Sequence, residues 1–203
     1  MVEPIKSRKL YQVTVTTPYK QAFVKGQKAT IGRDYTPFFR FFENVREYPV
    51  TDGSTGVVSP VNAFDWLHRV RIGTIQSLPQ TVAAIAWEVS QHYLMLTREL
   101  LMEQIRVGEF KGRPPSRQRC LYLAETAEEA RSWLPLLGDQ GSICELTCTG
   151  TIHKGDSRQM VMLSEPLSVT TDRARAYWRG DATAAPRWEI LFVGEAEVTG
   201  LGL

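Results

Sequence analysis

The sequence predicts an α+β fold. Strand-forming segments lie towards both ends of the chain, at 10–16 and again at 118–123, 142–149 and 189–199. Between them, from Ser77 to about Arg106, apolar residues recur at helical spacing. The chain's 203 residues suit one domain with a large insertion. The expected molecule is a single domain over 1–203, a split core whose four strands form two small packed sheets. A helical insertion at about 36–108 interrupts it, and a helix over 78–106 is the major helical element.

Each element has a local reason. Leu10 to Thr16 is rich in strand formers, and Pro18 ends the run. Val24 to Ile31 reads as a short strand or an extended loop around Gly26. Thr36 followed by Pro37 is a helix-start signal. Residues 49–62 hold Pro49, Gly53, Gly56 and Pro60 among Thr and Ser, as a loop or an irregular hairpin does. Ser77 with Gln80 forms a capping-box pattern, and Pro79 is tolerated in a first turn. Val82, Ile85, Ala86, Val89, Tyr93, Leu96 and Leu100 then make one apolar stripe. Gly108, Gly112, Pro114 and Pro115 close that region. Thr126 with Glu129 is a second capping box, opening a short helix. Ser142 to Thr149 alternates, with Ile143, Glu145, Thr147 and Thr149 on one face and Cys144, Leu146 and Cys148 on the other. Residues 170–178 suggest a short helix stopped at Gly180. Glu189–Val193 and Glu195–Thr199 are two strands, or one bent about Gly194.

Composition excludes several classes. Apolar residues make up 43% and charged residues 23%, as in ordinary soluble globular chains. A net charge of +2 gives no push towards nucleic acid or membrane. No apolar run approaches the ~18 residues that span a bilayer. The N-terminal MVEPIKSRK lacks the apolar centre of a secretory signal. The expected location is the cytoplasm. Cys120, Cys144 and Cys148 have no paired spacing and read as core thiols. Cys144 and Cys148 would lie roughly 13 Å apart on one strand face, too far to chelate one zinc. His68, His92 and His153 are isolated, and neither a Gly-x-Gly-x-x-Gly nor a P-loop is present. No metal site is expected.

One residue stands out chemically. Glu189 places a carboxylate in an otherwise apolar strand, which is costly without partners or a task. Its plainer readings are an edge residue facing water or a partner of Arg187; Glu195 and Glu197 alternate as on a solvated face. Ser116 is either a functional hydroxyl or a turn residue after two prolines. Arg117 either meets a ligand or pairs with Glu99 or Glu103. Arg98, Glu99, Glu103 and Arg106 have the spacing of a surface ladder of ion pairs. Phe38 to Phe42 suits a core as well as a ligand platform.

Several short motifs come in a telling order. Arg98-Glu99-x-x-x-Glu103-x-Ile105-Arg106 is followed by Pro115-Ser116-Arg117, then Gly150-x-Ile152-His153-x-x-Asp156, then Ala176-Tyr177-Trp178-x-Gly180, then Glu189-Ile190-Leu191. In this order they resemble an uncharacterised bacterial domain family related to ADP-ribosyltransferases of the diphtheria-toxin and DNA-modifying DarT kind. The resemblance covers most of 10–199 and is best after 93. It implies a split two-sheet ADP-ribosyltransferase-like core, NAD as the ADP-ribose donor, and a protein side chain as acceptor. It implies Glu189 and Ser116 as catalytic residues, and NAD beside Gln12, Val13 and Thr14. Gln12 stands where relatives often have His; its amide can hydrogen-bond a ribose or phosphate but supplies no charge. By the same resemblance Arg117 meets the diphosphate, and Phe38, Phe39 or Tyr35 stacks on nicotinamide or adenine. Breaking the nicotinamide–ribose bond builds positive charge on the ribose, which a carboxylate stabilises. The nearest functional relatives are type III secreted effectors that ADP-ribosylate a threonine of host ubiquitin. The resemblance therefore points to a monomer with a protein partner such as ubiquitin, and to a host cytoplasm reached without a signal peptide as the alternative location. Two readings stay open beside it: a non-catalytic binding module keeping the transferase fold, for which Gln12 argues, and a transferase acting on nucleic acid, against which the near-neutral charge argues.

Overall fold

A computed structural model of the chain describes residues 2–15, 23–51, 56–137, 141–160 and 164–202. The elements in chain order are β1 (Val2–Val15), β2 (Lys28–Ile31), α1 (Pro37–Arg40), β3 (Glu47–Thr51), β4 (Val58–Asn62), α2 (Ala63–Arg71), α3 (Pro79–Gly108), β5 (Leu121–Leu123), α4 (Ala127–Leu137), β6 (Gly141–Asp156), α5 (Leu167–Arg179) and β7 (Trp188–Leu201). They form two compact units: Met1–Thr36 with Glu99–Leu203, and Pro37–Arg98. The fold is α+β with two antiparallel sheets. Of the first strand's expected span, Thr16 and the Pro18 stop lie outside the described residues, as does Gly53 of the expected loop.

In the first unit the strands run in the order β1-β6-β7-β2, with β5 also paired to β7. β5 faces Ile190–Phe192, and β2 faces Gly194–Glu197, on the edge of β7 that β6 leaves free. Tyr11 and Ala124 exchange both backbone hydrogen bonds, at 2.9 and 2.7 Å. That bridge joins the outer edge of β1 to the residue after β5, so β1, β6, β7 and β5 close into a ring. The expectation of two packed sheets built on 10–16, 118–123, 142–149 and 189–199 is thereby corrected: these segments share one sheet. The physical reason is that β6 is paired along both edges, with β1 on one side and β7 on the other. Irregularities at Ile5/Arg8 and Glu145/Leu146 let the long strands coil. The segment around Gly194 is one continuous strand.

Strand alternation separates two environments. Leu10, Leu146, Ile152, Ile190, Phe192 and Val198 fill the inside of the ring. Leu191 faces the other way, onto Met102 and Ile105 of α3 and Ala174, Tyr177 and Trp178 of α5. β7 is therefore covered on both faces where it carries Glu189, which explains its continuous apolar run. α4 packs through Ala130 and Leu134 over Tyr11, Val13 and Ile143. Thr126 caps its start as expected, with the Glu129 amide donating to Thr126 Oγ1 at 3.0 Å, while the Glu129 carboxylate accepts from the amide of Glu125, one residue before the cap, at 2.9 Å.

The second unit holds the β3–β4 hairpin, α1, α2 and the N-terminal part of α3. Asn62 caps α2 by accepting the Asp65 amide at 2.8 Å. Phe38, Phe39 and Phe41 pack edge to face on Phe42, which also meets His92. Among the described residues no helix is long and apolar enough to cross a membrane.

Candidate functional site

The polar centre of the first unit is a buried cluster on the outer face of β7. Arg117 lies in the turn before β5 and is 6% exposed. Its Nε donates to Glu99 Oε2 at 3.0 Å, and its Nη1 donates to Tyr177 Oη at 2.8 Å and to Glu189 Oε1. Tyr177 donates its own hydroxyl hydrogen to Glu189 Oε1 at 2.6 Å. The guanidinium also lies over the rings of Tyr122 and Tyr177. Tyr122 donates to the Arg117 carbonyl at 2.7 Å and fixes the backbone of the turn.

The electrostatics follow from burial and partners. Burial opposes the Arg117 charge, but Glu189 and Glu99 outweigh it and hold the guanidinium pKa well above its ordinary value. Burial drives the Tyr177 and Tyr122 phenols far up against the pull of Arg117, so both are neutral donors. It also pushes the Cys120 thiol far up, leaving it inert.

Further polar contacts hold the turn. Glu103 accepts from Ser116 Oγ at 2.9 Å and from Arg106 at 2.6 and 2.8 Å. Ser116 Oγ in turn accepts the Gln118 amide at 3.2 Å. Below Glu189, the paired position on β6 is Gly155. A Cβ there would meet the Tyr177 ring at 2.5 Å, so the missing side chain makes room for Tyr177 to reach Glu189. His153 Nε2 donates to the Tyr177 carbonyl at 3.1 Å. Asp156 accepts from the amides of Arg158, Thr183 and Arg187 and from the Thr183 hydroxyl. These bonds tie the approach to β7 to the end of β6.

The residues expected at the site are only partly brought together. Glu189, Arg117 and Ser116 share this region. Gln12 and Thr14 do not point to it: they alternate with Tyr11 and Val13 onto the inner face of the ring, beside Leu10 and Cys144. Glu189 is on the outer face with Leu191, so the two-residue period of the strands sets Gln12 and Thr14 on the opposite face from it. Val13 shares the outer face but packs under α4. Arg117 is engaged by two carboxylates, so a diphosphate would have to displace one of them. Phe38 and Phe39 belong to the second unit, where Phe39 is buried and Phe38 is 39% exposed. The expected surface ladder on α3 is also corrected: Glu99 is 1% exposed and serves Arg117.

Sequence reasoning missed Tyr177, Tyr122 and Gly155 as site residues, and Glu99 as a buried one. The available signal was α3's seven-residue step. Ile85, His92 and Glu99 are buried at that spacing, whereas the apolar pattern pointed to Tyr93 and Leu100, which are exposed.

Residues 20–201 match a family described as Protein of unknown function (DUF2441). The chain belongs to this family. The DUF2441 match spans Glu99, Ser116, Arg117, Tyr177 and Glu189 and begins after Gln12–Thr14. No curated protein matches the chain. Among its described residues no group of three His, Cys, Asp or Glu side chains is placed to hold a metal ion.

Proposed function

We propose that the chain is a mono-ADP-ribosyltransferase that takes ADP-ribose from NAD and transfers it to a protein hydroxyl. One observation carries the reading. Glu189 Oε1 is anchored by Tyr177 and Arg117, while Oε2 accepts no hydrogen bond from the described residues. A carboxylate locked by one oxygen and open at the other is pre-organised to take a ribose hydroxyl and to face developing positive charge. In the step proposed, the C1′–nicotinamide bond breaks and nicotinamide leaves with the electron pair. The acceptor oxygen bonds to C1′, and its proton passes to Glu189. The motif order and the late strand bearing Glu189 support an ADP-ribosyltransferase-like core. A threonine of ubiquitin is the first acceptor to try.

Glu189→Gln tests this. Gln keeps the size and one acceptor oxygen but removes the charge, so nicotinamide release should fall by about two to three orders of magnitude. NAD binding should change little. Mass spectrometry of ubiquitin and of a lysate incubated with labelled NAD identifies the acceptor. Wild-type turnover in a folded Glu189→Gln protein would defeat the assignment.

The placement of Gln12 and Thr14 on the opposite face favours a second reading, a binding module without turnover. That reading expects NAD or ADP-ribose to raise the melting temperature with no nicotinamide released.

A further inference from the structure

The turn after α3 carries two cations that the Glu189 cluster does not use. Lys111 and Arg113 make no ion pair and no side-chain hydrogen bond among the described residues. Both line a cavity of about 680 Å³, together with Arg179. Its apolar lining is Val2, Phe110, Pro114 and Trp178, of which Val2 and Phe110 keep exposed surface while Trp178 is 2% exposed. Two carboxylates also border it, but each already has a guanidinium. Glu109 takes Arg175 in a two-pronged pair at 2.8 and 3.0 Å, and Asp181 takes Arg179 at 2.7 Å. Arg175 is shared with Asp172 at 3.0 Å, so the cavity's surroundings carry a net positive charge, with Lys111 and Arg113 as its unpaired cations among the described residues.

The turn is built to hold them still. Arg106 Nη1 donates to the Gly112 and Pro114 carbonyls at 2.8 and 2.9 Å, and the Gly112 amide donates to the Arg106 carbonyl at 3.0 Å. Arg106 is itself clamped by Glu103. Lys111 has a φ of 55°, a left-handed conformation that lysine adopts only at a cost. An ordinary surface lysine has no such backbone imposed on it.

We propose that this cavity is a binding site for a phosphorylated small molecule. Its phosphate or diphosphate lies on Lys111 and Arg113, and its planar or apolar part lies on Phe110 and Val2. Arginine offers a planar fork to phosphate oxygens and lysine a compact charge, a pairing suited to a dianion. The volume falls within the few hundred to about a thousand Å³ of small-molecule sites. The site is separate from the Glu189 cluster: Trp178 lines it, whereas its neighbour Tyr177 holds Glu189.

The test is isothermal titration of the full chain with ADP and with inorganic pyrophosphate at low and high salt. Both should bind, ADP more tightly through its planar group, and both should weaken as salt screens the cations. The double variant Lys111→Gln/Arg113→Gln should lose about tenfold or more in affinity for both. Its melting temperature should not change, since both side chains are exposed. The double variant should still release nicotinamide from NAD as the wild type does, which separates this site from the transferase reading. Absence of binding by either probe up to about 10 mM overturns the proposal. So does pyrophosphate binding that survives the double substitution.

Discussion

Arg117 is one cation serving two buried carboxylates, so the cluster around it depends on neutral hydrogen bonds as well as charge. Tyr177 supplies the most telling one. Its hydroxyl accepts from Arg117 and donates to Glu189, so it spreads the charge across three groups. Tyr177→Phe keeps the ring over Gly155 but takes one bond from Glu189 and one from Arg117. Leaving buried charged groups short of a partner should cost about 1–3 kcal/mol, read as a lower urea midpoint with an unchanged slope. If Glu189 acts in transfer, nicotinamide release should fall as well, because Glu189 Oε1 loses an anchor. A variant as stable as the wild type would mean that water replaces the hydroxyl. Glu189 was legible in the sequence because a carboxylate interrupts an apolar strand. Tyr177 was not: it sits on a helix whose buried side looks like any aromatic packing. Nothing in a linear sequence says that Gly155, twenty-two residues earlier, leaves room for its ring.

At the scale of elements, β6 and β7 pair through two glycines, Gly150 and Gly194. A Cβ on Gly194 would lie 2.4 Å from the Thr149 carbonyl oxygen and 2.7 Å from the Gly150 Cα. Both obstacles are backbone and cannot swing aside. Gly194 also has a φ of 136°, which L side chains rarely adopt. Gly194→Ala should therefore cost more than about 2 kcal/mol, with slower amide exchange lost first in the paired middle of β6 and β7. A substitution within about 0.5 kcal/mol of wild type would show that the strands can separate here without penalty. The sequence marks Gly194 as a bend, yet what the glycine permits is close approach within an unbroken strand. Capping residues and alternation were readable: the helix after Thr126 and the two faces of 142–149 follow local rules. Closure was not readable, since the Tyr11–Ala124 bridge joins residues far apart in sequence. The Gln12 side chain shows the consequence. Its position on the first strand was foreseeable, but which side of the ring it faces depends on that long-range pairing.

For the whole molecule, the pH dependence of stability sums the groups that folding has shifted. His153 is fully buried, and burial lowers its pKa from the ordinary 6.5 to about 4. Folded His153 therefore stays neutral where the unfolded chain takes up a proton. Between pH about 6.5 and about 4 the unfolded state binds more protons, so stability falls as the pH falls. The shift is worth about 3 kcal/mol once the window is crossed. His92, in the second unit, is lowered by burial and by Arg46 and acts in the same direction. The carboxylates act lower. Burial raises the Asp156 pKa, but the Thr183 hydroxyl and three backbone amides together bring it below 3.8, so its contribution is lost only beneath that value. Glu125, held low by Lys154 and Arg8 against the effect of burial, also acts below its ordinary 4.5. Urea unfolding from pH 7.5 to 4.5 should therefore show a loss assignable chiefly to the two histidines. His153→Gln keeps a donor for the Tyr177 carbonyl but cannot take up a proton. Its stability at pH 7 should be no higher than wild type, while its slope between pH 6.5 and 4.5 should be clearly shallower. An unchanged slope would mean that His153 is protonated within the fold, and would remove the neutral histidine behind Tyr177.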